Sequence, residues 1–162
     1  GAGTMGFGWP AAIGAQFANP GKKVWAIVGD GGFQMTQAEL ATAAIHSLPV
    51  KCLIINNNFL GMVRQWQELF FENRLSGVDL VGNPDFVKLA QAYGIKAWRI
   101  RRPSDVDRIL AAAKEYDEGP CLVVAEVVKE DNVFPMIPAG APISGMIVEK
   151  PKSRMAKPTG ST

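Results

Sequence analysis

Apolar residues follow two alternating rhythms along the chain. Val24–Val28, Val50–Ile55, Ile95–Ile100 and Cys121–Val128 are strand-length runs rich in β-branched residues. The first, second and fourth are almost continuously apolar, the pattern of strands buried on both faces of a parallel sheet. The segments between them carry helical spacing and end signals. Thr36-Gln37-Ala38-Glu39 reads as a capping box, with Ala41, Ala44, Ile45 and Leu48 following on one face. Asn83-Pro84 offers an N-cap and a first-turn proline. Phe86, Leu89, Ala90 and Tyr93 then form an apolar stripe that Gly94 ends. Ser104 opens a further helix with Val106, Ile109, Leu110 and Ala113 inward, and an earlier helix spans about Pro10 to Phe17.

Strands alternating with helices predict βαβ units with right-handed crossovers. The expected fold class is α/β, a doubly wound, mostly parallel sheet with helices on both faces. Beyond Phe134, Pro135, Pro138, Pro142 and Pro151 with Gly140 and Gly145 describe irregular chain. The expected division is a domain over residues 1–134 and an irregular arm with a disordered tail over 135–162.

Composition narrows the function classes. The chain has 162 residues, 48% apolar and 20% charged, enough for the core of one domain. A net charge of +2 gives no reason to expect nucleic acid or an anionic membrane as a partner. No run approaches the roughly 20 apolar residues of a membrane span. Cys52 and Cys121 lie inside apolar runs, so reduced buried thiols are expected there, not a disulfide or a metal site. The chain opens abruptly on the glycine-rich Gly1-Ala2-Gly3-Thr4-Met5-Gly6, as a piece of a longer protein would. His46, late in its helix, reads as a solvated or capping residue. Glu68 and Glu72 read as a solvated helix face.

Candidate chemistry lies in Gly29-Asp30-Gly31-Gly32 after the first strand and Asn56-Asn57-Asn58 after the second. Neighbouring strands run about 4.8 Å apart, so if these two are neighbours Asp30 and Asn57 leave the same sheet edge. In open α/β sheets that edge is where ligands bind. Asp30 offers a hard anionic oxygen and Asn57 a neutral one, a set that suits Mg²⁺ completed by ligand phosphates. The glycines let backbone N–H groups approach a phosphate, and a helix beginning near Thr36 would point its positive end there. Each piece alone is equally a tight turn or an exposed polar loop. A dinucleotide-binding module would need a G-x-G-x-x-G turn after the first strand, which Gly29–Gln34 does not supply.

Gly29-Asp30-Gly31, then residues 32 to 55, then Asn56-Asn57, resembles the signature of thiamine-diphosphate enzymes. Within them, Gly3-Thr4-Met5-Gly6, Gly61-Met62-Val63-Arg64-Gln65-Trp66-Gln67 and Phe134-Pro135-Met136-Ile137-Pro138-Ala139-Gly140-Ala141 resemble the catalytic subunit of acetohydroxyacid synthase. Two positions depart from that pattern: Trp9 stands where a smaller aliphatic is usual, and Gly32 where Ser is common.

The resemblance implies Asp30, Asn57 and the Phe59 carbonyl as Mg²⁺ ligands. It implies Gly3, Met5, Gly29, Gly31, Gly32, Gly61 and Met62 around thiamine diphosphate. Met5 would support the cofactor's bent form, a catalytic role, although an ordinary core role stays open for it. Met62 and Trp66 would line the substrate approach, although Met62, Trp66 and Phe70 at helical spacing also fit a core stripe. The implied reaction decarboxylates pyruvate and joins the two-carbon unit to pyruvate or 2-oxobutyrate, in branched-chain amino-acid biosynthesis. Also implied are FAD bound mainly elsewhere in the protein, the remaining domains of the same enzyme, a homodimer or tetramer and a regulatory small subunit. The compartment would be cytoplasmic in a bacterium and an organelle in a eukaryote. This chain alone would be inactive. Glyoxylate carboligase, pyruvate oxidase, a 2-keto acid decarboxylase and a non-catalytic cofactor-binding module remain alternatives.

Overall fold

The computed structural model describes residues 2–150. The β-branched runs form β1 (Trp25–Gly29), β2 (Lys51–Asn56), β3 (Lys96–Ile100) and β4 (Cys121–Glu126). They make one four-stranded sheet in the order β1-β2-β4-β3, parallel throughout. The expected α/β fold with a parallel sheet is what the chain adopts.

Helices are α1 (Gly8–Ala18), α2 (Asp30–Gln34), α3 (Leu40–Ile45), α4 (Gly61–Phe70), α5 (Phe86–Ala92) and α6 (Val106–Glu115). Successive strand residues point to opposite faces, and the core divides accordingly. On one face Trp9 and Ile13 of α1, Phe33, Leu40 and Phe86 cover Ala26, Ile54, Leu122 and Val124. On the other, Ile109 and Ala113 of α6 cover Ile100, Cys121 and Val123. The central strands β2 and β4 are therefore enclosed from both sides, as their unbroken apolar runs predicted. The outer strand β1 is less protected, and Ile27 at its middle is 71% exposed. Cys52 and Cys121 are buried free thiols, as expected. Burial raises the Cys121 thiol to about 11, with the Lys51 ammonium opposing and Asp117 reinforcing the shift.

The helix starts differ from the sequence expectation. Thr36 makes no capping bond to the helix; its hydroxyl donates to the Gly6 carbonyl at 3.0 Å. Residues Gln37–Glu39 form a 3-10 turn, and α3 begins only at Leu40. The helix that follows β1 directly is α2, starting at Asp30 itself. Asn83 does not cap α5 either. Asp85 does, accepting from the N–H groups of Val87 and Lys88 at 3.0 and 3.2 Å. Both residue types are good caps, and Asn83 is occupied elsewhere.

The chain forms two compact units. The first comprises residues 1–58 and 80–127 and holds the sheet; the second comprises Phe59–Asp79 with the chain from Val128 onward. In the second unit α4 is followed by largely irregular chain, with a short 3-10 turn at Ile143–Gly145 and a single bridge between Met136 and Ile147. The tail expected beyond Lys150 lies outside the described residues.

At the start of β2 the first unit buries a full cation. The Lys51 side chain is wholly enclosed and donates to the Pro49 carbonyl (2.7 Å), the Tyr116 carbonyl (2.8 Å) and Asp117 Oδ1 (2.9 Å). All three ammonium hydrogens are used, which a buried charge requires. Hydrogen bonds from Lys51 and Lys23 hold the Asp117 carboxyl below the usual carboxylate range. We expect Lys51→Met to cost about 2–3 kcal/mol in urea unfolding, because two carbonyls of half-buried residues and the Asp117 carboxylate lose their donor. A folded carboxylate with a depressed pKa stabilises above its unfolded value, near 3.9, and loses that contribution as pH falls through the folded value. The melting temperature of wild type should therefore exceed that of Asp117→Asn by a constant gap above about pH 5, closing below about pH 4. A gap independent of pH would show that the carboxylate's charge is not what Lys51 uses.

Candidate functional site

Register decides what meets at the sheet's carboxyl edge. Gly29 lies opposite Ile55, so β1 ends and Asp30 begins just where β2 reaches Asn56. The two candidate segments thus share one edge, as the strand reading required. Asn58 turns the chain with φ +56°, a left-handed conformation that asparagine tolerates better than most residues.

Asp30 is 2% exposed. Its Oδ2 accepts from the Asn58 N–H at 2.9 Å and from the Asn83 Nδ2 at 2.7 Å. The Asn83 amide nitrogen also faces Asn58 Oδ1 at 3.0 Å and Asn56 Oδ1 at 3.3 Å, while its oxygen accepts from Gln34 Nε2. The cluster is built from one carboxylate and neutral amides. Among the described residues no Lys, Arg or His pairs with Asp30. A buried ionised carboxylate without a cation is costly, and such groups are paired, coordinate a metal or take up a proton. Among the described residues no three His, Cys, Asp or Glu side chains gather. One hard anionic oxygen beside amide oxygens suits a hard divalent cation whose remaining shell comes from its ligand or water. Asn57, half-buried, lies between the two asparagines of this cluster.

The loop carrying Gly3 and Met5 joins the same turn. Besides the bond from Thr36 to the Gly6 carbonyl, a Cβ on Gly6 would sit 3.1 Å from Met35 Cβ and 3.3 Å from Thr36 Cγ2. Gly6 also has φ +85°, so both space and backbone call for glycine there. A Cβ on Gly32 would lie 3.7 Å from the Gly6 nitrogen. Met5 is half-exposed, not a core residue. Trp9, the unusual aromatic, is fully buried against the Phe33 ring with 6.2 Å between centroids.

The second unit carries the other expected residues. Phe59 bridges to Asp79, and its ring lies 5.3 Å from both the Arg64 guanidinium and the Lys129 ammonium. Gly61 starts α4, which exposes Met62 and half-buries Trp66 edge-on to Phe70. Met62, Val63, Trp66, Gln67, Phe71 and Arg74 line a cavity of 660 Å³. Trp66 is thus half-buried, with one side against Phe70 and the cavity beside it. Glu68 is not a solvated residue. It pairs with Arg64 (3.1 Å) and Lys150 (2.8 Å) and accepts from Asn132 (3.0 Å). Burial raises its carboxyl, and the bonds from Lys150 and Asn132 more than reverse this, leaving it below the ordinary glutamate value.

Two residues of this framework were not singled out by sequence. Asn83-Pro84 fits a helix start, and nothing in that dipeptide reveals a partner across the fold. Gln65 is 1% exposed and ties α4 to the arm, exchanging bonds with the Val133 backbone (2.9 and 2.7 Å) and touching Met136 Sδ. Its place inside the Gly61–Gln67 segment was the available signal.

Comparison with known proteins gives the family. Residues 1–125 match the family described as "Thiamine pyrophosphate enzyme, C-terminal TPP binding domain", so the chain belongs to that family. The chain is 49% identical over 144 residues to an acetolactate synthase of Mycobacterium avium, covering 86% of this chain and 23% of the relative. It is 47% identical to the acetolactate synthase large subunit of Pyropia yezoensis, covering 94% of this chain and 26% of the relative. It is 46% identical to the acetolactate synthase isozyme 2 large subunit of Escherichia coli K12, covering 91% of this chain and 27% of the relative. The chain thus spans about a quarter of the length of the curated relatives it matches.

Because Trp66 lines a cavity and is only half-buried, Trp66→Leu should cost about 1 kcal/mol in urea unfolding, against roughly 3–5 kcal/mol for truncating a fully buried tryptophan. A loss in the upper range would return Trp66 to the core.

Proposed function

We propose that this chain binds thiamine diphosphate through Mg²⁺ and is the cofactor-binding part of an acetolactate synthase. That enzyme would decarboxylate pyruvate and join the two-carbon unit to pyruvate or 2-oxobutyrate in branched-chain amino-acid biosynthesis. The observation that carries the metal assignment is Asp30, a buried carboxylate hydrogen-bonded only by neutral groups. The names of the relatives support the activity.

Asp30 and Asn57 would hold the cation, with the Phe59 carbonyl as the ligand added by the resemblance. Gly29, Gly31, Gly32 and Gly61 lack side chains, so backbone N–H groups can approach the diphosphate. The half-exposed Met5 offers a polarizable thioether surface suited to an aromatic ring. Gly3 and Met62 complete the expected cofactor surroundings. Met62 and Trp66 would form an apolar wall for the 2-keto acid. The bound cofactor would supply the carbanion stabilisation that decarboxylation and carbon–carbon bond formation both need. FAD, the remaining domains, a homodimer or tetramer and a regulatory small subunit belong to the same proposal. The "large subunit" names of two relatives support the last of these. A cytoplasmic or organellar site, according to source, follows from the same reading.

The test is cofactor binding in the intact protein, followed by tryptophan fluorescence as Mg²⁺ is titrated. Binding should require Mg²⁺, and Asp30→Ala should abolish that requirement together with measurable affinity while far-UV circular dichroism is retained. Normal, metal-dependent affinity in folded Asp30→Ala would overturn the assignment. With two competing acceptors, Trp66→Leu should shift the product ratio several-fold, since one wall of an apolar pocket discriminates a methylene by about 1–3 kcal/mol. An unchanged ratio would remove Trp66 from the substrate wall.

A further inference from the structure

The Asn83 side chain does something no helix cap needs to do. Its amide nitrogen has two hydrogens and faces oxygens of Asp30, Asn58 and Asn56 at 2.7, 3.0 and 3.3 Å. The shortest contact goes to the charged oxygen, as expected for the strongest acceptor. Its own carbonyl oxygen is fixed by Gln34 Nε2, from the last residue of α2. That bond also settles the orientation of the amide, since the flipped arrangement would press its oxygen against three other oxygens. The backbone is anchored too. Asn83 N–H donates to the Leu80 carbonyl and Leu80 N–H to the Asn58 carbonyl, each at 2.9 Å. Asp85 caps α5, so helix initiation does not depend on Asn83.

We infer that Asn83 is a positioning residue for the metal: it and the Asn58 N–H hold Oδ2 of Asp30, which presents Oδ1 to the cation. Both hydrogen bonds of the carboxylate fall on Oδ2, and Oδ1 takes neither. A carboxylate fixed by one oxygen can bind a small octahedral ion through the other without first reorienting. Mg²⁺ demands near-ideal geometry, so such fixing matters more for it than for a larger, more adaptable ion. Partners that orient metal ligands in this way typically control metal affinity by about 10–100-fold. The inference rests on the Mg²⁺ reading of Asp30 proposed above.

The experiment compares wild type, Asn83→Ala, Asn83→Leu and Asp85→Ala in the intact protein. Two quantities are read: the Mg²⁺ concentration giving half-maximal thiamine-diphosphate binding, and the melting temperature without metal or cofactor. Asn83→Leu keeps the side-chain volume while removing the donor, and Asp85→Ala is a control that weakens the nearby helix start. Both Asn83 variants should raise the Mg²⁺ midpoint by about 10–100-fold, with Asp85→Ala leaving it unchanged. An unaltered midpoint in a folded Asn83 variant would overturn the inference. So would an equal shift in Asp85→Ala, or failure of both Asn83 variants to fold, since either makes the residue merely structural. If wild type binds the cofactor without regard to Mg²⁺, the underlying metal reading falls, and that outcome is distinguishable from the others.

Discussion

Parallel pairing of β1 with β2, with Gly29 opposite Ile55, is the constraint from which the rest of the site follows. In a parallel pair both strands release their chains at the same edge, and this register releases them within one residue of each other. Asp30 therefore emerges beside the asparagine run and not a strand length away. A shift of one residue would also turn Ala26 and Val28 away from the core they now enter. Packing on the apolar face and chemistry at the polar edge are thus fixed by the same alignment.

The two ends of β2 treat buried charge in opposite ways. At its start, Lys51 is enclosed with a full complement of acceptors, including the Asp117 carboxylate. At its far end, Asp30 is enclosed with neutral donors only. The first arrangement satisfies itself and belongs to the fold. The second has hydrogen bonds from neutral groups and, among the described residues, no cationic side chain paired with it. This asymmetry, more than the glycine-rich turn, is what supports the proposed cation site at that end of the sheet.

The strands, their parallel direction and the shared edge were legible because long apolar runs are signals that tertiary context seldom reverses. Local capping was not. Thr36 and Asn83 both sit in sequences that satisfy capping rules, and both spend their side chains on distant partners, Gly6 and Asp30. Short polar side chains bond equally well within a turn or across the fold, and sequence spacing alone does not rank those partners. Glu68 failed for a related reason: its cationic partners, Arg64 and Lys150, lie 4 and 82 positions along the chain, and only the nearer is visible as helical spacing. The meeting of Asp30 with the asparagine run was legible because both segments directly follow strands that pair in parallel.

The outer position of β1 has a consequence for how this domain behaves in company. β3, at the opposite border, carries Lys96 and Arg99, and charged residues on a border strand discourage another chain from aligning there. β1 reads Trp-Ala-Ile-Val-Gly, without a charge, and its middle isoleucine stands largely in solvent. Among the described residues its second hydrogen-bonding ladder has no strand opposite it. A short, uncharged border of this kind is a template for recruitment. Whatever covers it decides whether the domain stays dispersed or coalesces with its own copies as concentration rises.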